Sequence, residues 1–136
     1  QTVVELPLGG FELIDSGRRR LFIATGTGIA PMLAMFAQAP GLERDALLFG
    51  CSHQDEDLTA RISSPMPGTV VRCLSRQEAP DTFHGRVTQA LPALAHDLRL
   101  DPDNTDVYLC GSAAMVADTR DVLEREGYAS VLTEPY

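Results

Sequence analysis

The segment Leu21-Phe22-Ile23-Ala24-Thr25-Gly26-Thr27-Gly28-Ile29-Ala30-Pro31 runs from apolar residues through a small-residue turn to a proline. A strand, a glycine turn and a helix start in that order make a seat for an anion. The first amides of a helix have no intrahelical acceptor, and glycines let a phosphate approach the backbone. On this reading Gly26 and Gly28 leave room for a pyrophosphate, so valine at position 28 should block the ligand and spare the fold. The same pattern also serves as a tight strand-to-helix turn whose glycines supply geometry alone. It is shorter than the G-x-G-x-x-G dinucleotide fingerprint. Asp55, Glu56 and Asp57, after the next apolar stretch, read either as a ribose-binding acid or as a solvated face.

Other chemistries find less support. Cys51, Cys73 and Cys110 are odd in number, widely spaced and outside any C-x-x-C pattern, which argues against a disulfide framework, zinc or an iron–sulfur cluster. His53, His84 and His96 are too scattered for metal ligation, so no metal site is expected, and no Ser/His/Asp order resembles a hydrolase. The net charge of −8 and the lack of a long basic run exclude a nucleic-acid footprint. A phosphate can still be held by two or three local arginines, because distant charge is screened. No apolar run has the length of a membrane span, and no basic start precedes an apolar signal core. Reduced thiols and these absences lead to the expectation of a cytoplasmic protein with no membrane partner.

The elements that must position the turn follow from hydrophobic rhythm. With 136 residues, 44% hydrophobic and 22% charged, the chain has enough apolar material for one domain. Strands are expected at Leu21–Thr25, Ala46–Cys51, Thr69–Ser75, Val107–Cys110 and Ser130–Thr133, with helical stretches between them. Ala113–Glu126 is the clearest helix: Met115, Val116, Thr119, Val122 and Leu123 share a face, Ser112 caps the start and Gly127 follows the end. Pro31 to about Gln38 forms another, with proline at its first position. Asp57–Ser63 and Val87–Leu94 are shorter candidates, the second limited by Pro92. Near-continuous apolar strands with right-handed crossovers predict an α/β fold, a doubly wound five-stranded parallel sheet with flanking helices.

The sequence resembles the ferredoxin–NADP reductase family, in its C-terminal NAD(P)-binding domain. Gly26-Thr27-Gly28-Ile29-Ala30-Pro31 matches the family's G-T-G-x-A-P, Cys110-Gly111-Ser112-Ala113-Ala114-Met115 its C-G element, and Glu134-Pro135-Tyr136 its C-terminal acid and aromatic. The likeness covers about Phe11 to Tyr136, and the family's topology implies the strand order 3-2-1-4-5. Leu6-Pro7-Leu8-Gly9-Gly10-Phe11 is similar to the stretch by which family members leave the flavin barrel, with Leu6 in place of a glycine. Residues 1–10 are therefore expected to be a hinge remnant from a preceding flavin-binding domain, and residues 11–136 the NAD(P)-binding domain. The family's R-x-Y-S flavin motif is absent from this chain.

The resemblance implies hydride exchange between nicotinamide and a flavin, with the protein supplying orientation. It places Thr25 to Pro31, Gly111, Ser112 and Met115 against the dinucleotide and Cys110 beside the reacting carbon of the nicotinamide. Glu134 would lie near the active centre and Tyr136 would cover the flavin. By type alone Cys110 also reads as a small buried hydrophobe, Met115 as a packing residue, Glu134 as a solvated acid and Tyr136 as a loose terminus. Ser75 and Arg76 resemble the family's S-R-E stretch and His84-Gly85-Arg86-Val87 its G-R-[VI] element. In NADP-using relatives such residues hold the 2′-phosphate, although either arginine alone also reads as a surface charge.

The function implied is that of an NAD(P)H-dependent flavoprotein reductase domain. It would use NADP or NAD, with NADP ahead, pass hydride to FAD on a domain absent from this chain, and supply an iron–sulfur protein or oxygenase. The alternative is a nucleotide-binding regulatory or structural module without turnover. An electron-transfer subunit of the dihydroorotate dehydrogenase type ranks below both, because its cluster cysteines are absent.

Overall fold

A computed structural model of the chain describes residues 3–5, 13, 16–57, 59 and 65–135. Their centre is the run Arg19–Thr25 (β2), whose five middle residues are all buried. A strand buried on both faces needs cover from both sides, and parallel neighbours joined by helical crossovers supply it. The sheet is β1 (Val3–Glu5), β7 (Val131–Pro135), β6 (Thr105–Gly111), β2, β3 (Ala46–Cys51), β4 (Thr69–Leu74) and β5 (Phe83–His84) in spatial order. Every pairing is parallel. The five expected strands occupy the expected 3-2-1-4-5 order, and two short strands extend the sheet at its edges, β1 beside β7 and β5 beside β4.

The helices divide between the faces. α1 (Ile29–Phe36) packs Ile29, Met32 and Phe36 on Phe22, Phe49 and Tyr108, with Phe22 edge-on to Phe36 and stacked on Tyr108. α2 (Val87–Asp97) and α3 (Ala113–Arg125) cover Leu21, Ile23, Leu48 and Leu109 on the other face. α3 follows its sequence signals: the Ser112 hydroxyl accepts the Met115 amide at 3.2 Å, Val116, Thr119 and Leu123 are buried, and Gly127 takes a left-handed φ of 91°. α1 begins two residues before Pro31, after a 3-10 turn at Gly26–Gly28. Proline is tolerated in that first turn because its missing N–H would have no intrahelical partner there. α2 runs three residues past Leu94, with Pro92 exposed on its outer side. Most of the helix expected at Asp57–Ser63, the hinge at Leu6–Phe11 and Tyr136 lie outside the described residues.

The amino edge of the sheet is held by polar side chains. Arg20 donates to Asp45 at 2.7 Å, a buried pair joining β2 to the start of β3. Burial pushes the Asp45 carboxyl up, and Arg20 opposes that shift. Asp106 accepts from Ser16 and Ser130. These contacts leave the opposite, carboxyl edge to the loops where α/β sheets bind ligands.

Candidate functional site

The strand order reverses between β2 and β6, because the chain proceeds from β2 through β3 and β4 on one side and through β6 and β7 on the other. At such a switch point the loops diverge and leave a crevice. A cavity of about 350 Å³ opens there, between the starts of α2 and α3. That size is within the range of small-ligand sites. Thr25 from β2, Ser75 and Arg76 from the end of β4, Arg86 at the start of α2, and Ser112 and Met115 at the start of α3 all line it. Six sequence-nominated residues from distant positions thus line one cavity.

The electrostatics of the cavity suit an anion. Among the described residues neither the Arg76 nor the Arg86 guanidinium has an acidic or hydrogen-bonding partner, and both side chains are exposed. Ser52, Ser75 and Thr88 add hydroxyls. Asp118 on α3 is the one carboxylate among the described lining residues. The acidic run after β3 does not line this cavity: Asp57 is buried 2.9 Å from Arg72, and Glu56 accepts the His53 amide at 2.9 Å. Asp55 and Glu56 line a neighbouring depression with His53, Gln54 and Gln77.

The glycine turn sits beside the cavity and owes its sequence to two separate constraints. Gly26 has φ 54°, a left-handed conformation that favours glycine. Gly28 is buried with an ordinary helical φ of −60°. A Cβ there would meet the Cys110 carbonyl oxygen at 2.6 Å and its carbon at 2.9 Å. The expectation that valine at 28 spares the fold is therefore corrected, since the side chain would strike β6 before any ligand. Thr27 and Ala30 are exposed at the edge, Pro31 is half-buried, and Ile29 belongs to the core, its amide taken by the Gly26 carbonyl.

Cys110 and Glu134 are brought together, but apart from the cavity. They are direct partners in the parallel register of β6 and β7, on the α1 face, at 2% and 8% exposure. Burial pushes the Cys110 thiol up to about 11, and the Glu134 carboxylate adds to the shift. Cys110 is a neutral thiol at ordinary pH. From Ser75 to Glu134 the carboxyl edge crosses four strand spacings, about 19 Å.

Several contributors were not anticipated. Gly50 lines the cavity, and its lack of a side chain is required there, since a Cβ would press on Val87 at 2.9 Å and Thr25 at 3.2 Å; the nominated Gly111 likewise leaves its Cβ space to Thr25 and Met115. The G-C ending of β3 was the signal for Gly50. Thr88 and Asp118, inside helices, had no sequence signal.

Residues 22–121 match the family described as oxidoreductase NAD-binding domain. The chain belongs to that family. Among curated relatives of this NAD-binding domain, the 2-halobenzoate 1,2-dioxygenase electron transfer component of Burkholderia cepacia is 28% identical over 130 residues, covering 88% of this chain and 37% of that protein. Ferredoxin–NADP reductase A of Sorangium cellulosum is 32% identical over 132 residues, covering 82% of this chain and 47% of that protein. The chain thus spans less than half the length of these two relatives. The cytochrome P450 reductase GcoB of Amycolatopsis has a TM-score of 0.74 at 28% identity, over 95% of this chain and 42% of that structure. A ferredoxin NADP+ reductase from Neisseria gonorrhoeae with bound FAD and NADP shares the fold, with a TM-score of 0.71 at 24% identity over 87% of this chain and 56% of that structure. The resemblance drawn from three short motifs is the resemblance these comparisons show. Among the described residues no helix is long and apolar enough to cross a membrane.

Proposed function

We propose that this domain seats NADPH, in preference to NADH, for a cytoplasmic flavoprotein reductase that supplies an iron–sulfur protein or oxygenase. The observation that carries the reading is the convergence of Ser75, Arg76 and Arg86 on one cavity at the switch point, with both guanidiniums uncommitted among the described residues. A phosphomonoester dianion is the ligand chemistry that two arginines and a serine hydroxyl serve best. NADH has no such group, so the clamp would add nothing to its binding.

The remaining residues fit an extended dinucleotide. The adenosine 2′-phosphate lies at Ser75, Arg76 and Arg86, and the pyrophosphate crosses the turn at Thr25–Gly28. The nicotinamide then reaches the end of β6 and β7, where Cys110 and Glu134 support its seat. The bound dinucleotide supplies the hydride, and FAD, on a flavin-binding domain of the same gene product or of a separate chain, accepts it. Cys110 holds its proton throughout and contributes volume and orientation, as a neutral thiol should. Tyr136 would take the family's role of the aromatic that covers that flavin.

Calorimetric titration of the chain with NADP+, NAD+ and 2′-phospho-AMP tests this reading. It expects NADP+ to bind at least tenfold more tightly than NAD+, and 2′-phospho-AMP to retain most of the NADP+ affinity. Equal affinities for NADP+ and NAD+ would contradict the assignment of the clamp.

A further inference from the structure

Two exposed arginines make a selective phosphate clamp only if the loops that carry them are held still, because a loose clamp must be ordered at the moment of binding. The Ser75 amide donates to the Cys51 carbonyl at 3.1 Å and the Arg76 amide to the Ser52 carbonyl at 3.0 Å, so β4 stays attached to β3 beyond its last strand residue. The Gly85 amide donates to Leu74 at 2.9 Å, tying in the loop that carries Arg86. Gln77 closes the arrangement. Its side-chain Oε1 accepts the Gln54 amide at 2.7 Å, and its backbone carbonyl lies 2.8 Å from His84 Nδ1, which therefore carries the proton. The loop after β3, the loop after β4 and the end of strand β5 thus meet on one half-buried residue adjacent to Arg76.

We infer that Gln77 is a positioning residue for nucleotide selectivity: it fixes Arg76 and, through His84, the loop leading to Arg86, in the spacing that a ribose-borne phosphomonoester requires. The inference rests on the reading of the cavity as a 2′-phosphate seat. A neutral amide suits the role. Its oxygen must accept from Gln54, and a carboxylate at that point would place a negative charge beside Arg76 and beside the incoming dianion.

The test is a double-mutant cycle on the full chain, with NADP+ and NAD+ titrated at one salt concentration. Gln77→Ala should weaken NADP+ binding about tenfold and leave NAD+ binding within twofold, a split that general loosening of the fold would not produce. Gln77→Glu should keep the loop tie and still lose several-fold for NADP+ alone. If Gln77 acts through Arg76, the Gln77→Ala/Arg76→Ala double variant should bind NADP+ little more weakly than Arg76→Ala by itself. Should Gln77→Ala fail to fold, His84→Ala removes the second tie from an exposed side chain and should cost about threefold for NADP+. An additive double variant, equal losses for both nucleotides, or no loss in any variant overturns the inference. Wild-type protein with no NADP+ preference would instead overturn the 2′-phosphate reading beneath it.

Discussion

The backbone of Gly28 lies against the backbone of Cys110, close enough that a Cβ on the glycine would stand 2.6 Å from the cysteine's carbonyl oxygen. This contact joins the two family elements, the G-T-G turn after β2 and the C-G end of β6, at the point where the strand order reverses. The second glycine of the turn is therefore a packing residue, and the ligand's approach depends on the surface beside it.

Gly28→Val should accordingly lose stability as well as binding. The overlap is with main chain, which cannot swing aside as a flexible side chain would, and overpacking of this kind costs roughly 1–3 kcal/mol. Urea unfolding of the variant should show a lowered midpoint. A midpoint equal to wild type, with nucleotide binding abolished, would restore the view that position 28 faces the ligand only.

The fold was largely legible because its signals are local: β2, β3 and β6 each contain an unbroken apolar run, residues 21–24, 46–49 and 107–110, and α3 carries its own cap, stripe and terminal glycine. The edge strands β1 and β5, three and two residues long, are too short to leave a periodic signature. Ser75, Arg76 and Arg86 were nominated by resemblance, but their convergence depends on strand ends meeting in space. Gly50 and Asp118 belong to the site only because α2 and α3 start beside one another. Periodicity in one segment cannot report such a contact.

Asp118 is the one carboxylate among the described residues lining an otherwise cationic cavity. Asp118→Asn removes a like charge from the neighbourhood of a bound phosphate. For a separation near 10 Å in a partly solvated site the gain is ~0.5 kcal/mol, about two- to threefold in NADP+ affinity. The gain should shrink as salt rises from 20 to about 300 mM, since exposed charges are screened over ~10 Å or less. Titration at both salt concentrations checks this, and weaker binding by the variant would show that the carboxylate accepts a hydrogen bond from the nucleotide.

Alkaline pH should destabilise the protein through its thiols. Burial pushes Cys73 up to about 12, and it also raises Cys51 and Cys110, each to about 11, from the ordinary 9.0. Thiols whose ionisation is harder in the folded state favour folding fully below pH 9, and that contribution falls as pH rises from 9 through 11–12. Urea midpoints should be level between pH 7 and 8.5 and decline above pH 9. Cys73→Ala should lower the midpoint at neutral pH yet flatten the decline. An unchanged alkaline slope in that variant would remove Cys73 as a cause.

Arg76 is assigned to the 2′-phosphate, and a paired titration of wild type and Arg76→Ala with NADP+ and NAD+ at one fixed salt concentration decides that assignment. A charge-assisted contact to a phosphate contributes about 1.5–3 kcal/mol, roughly ten- to a hundredfold in affinity. The variant should lose that much for NADP+ and change NAD+ affinity by less than about twofold. Equal losses for the two nucleotides would place Arg76 on a part of the cofactor they share, and no loss for either would return it to the solvated surface.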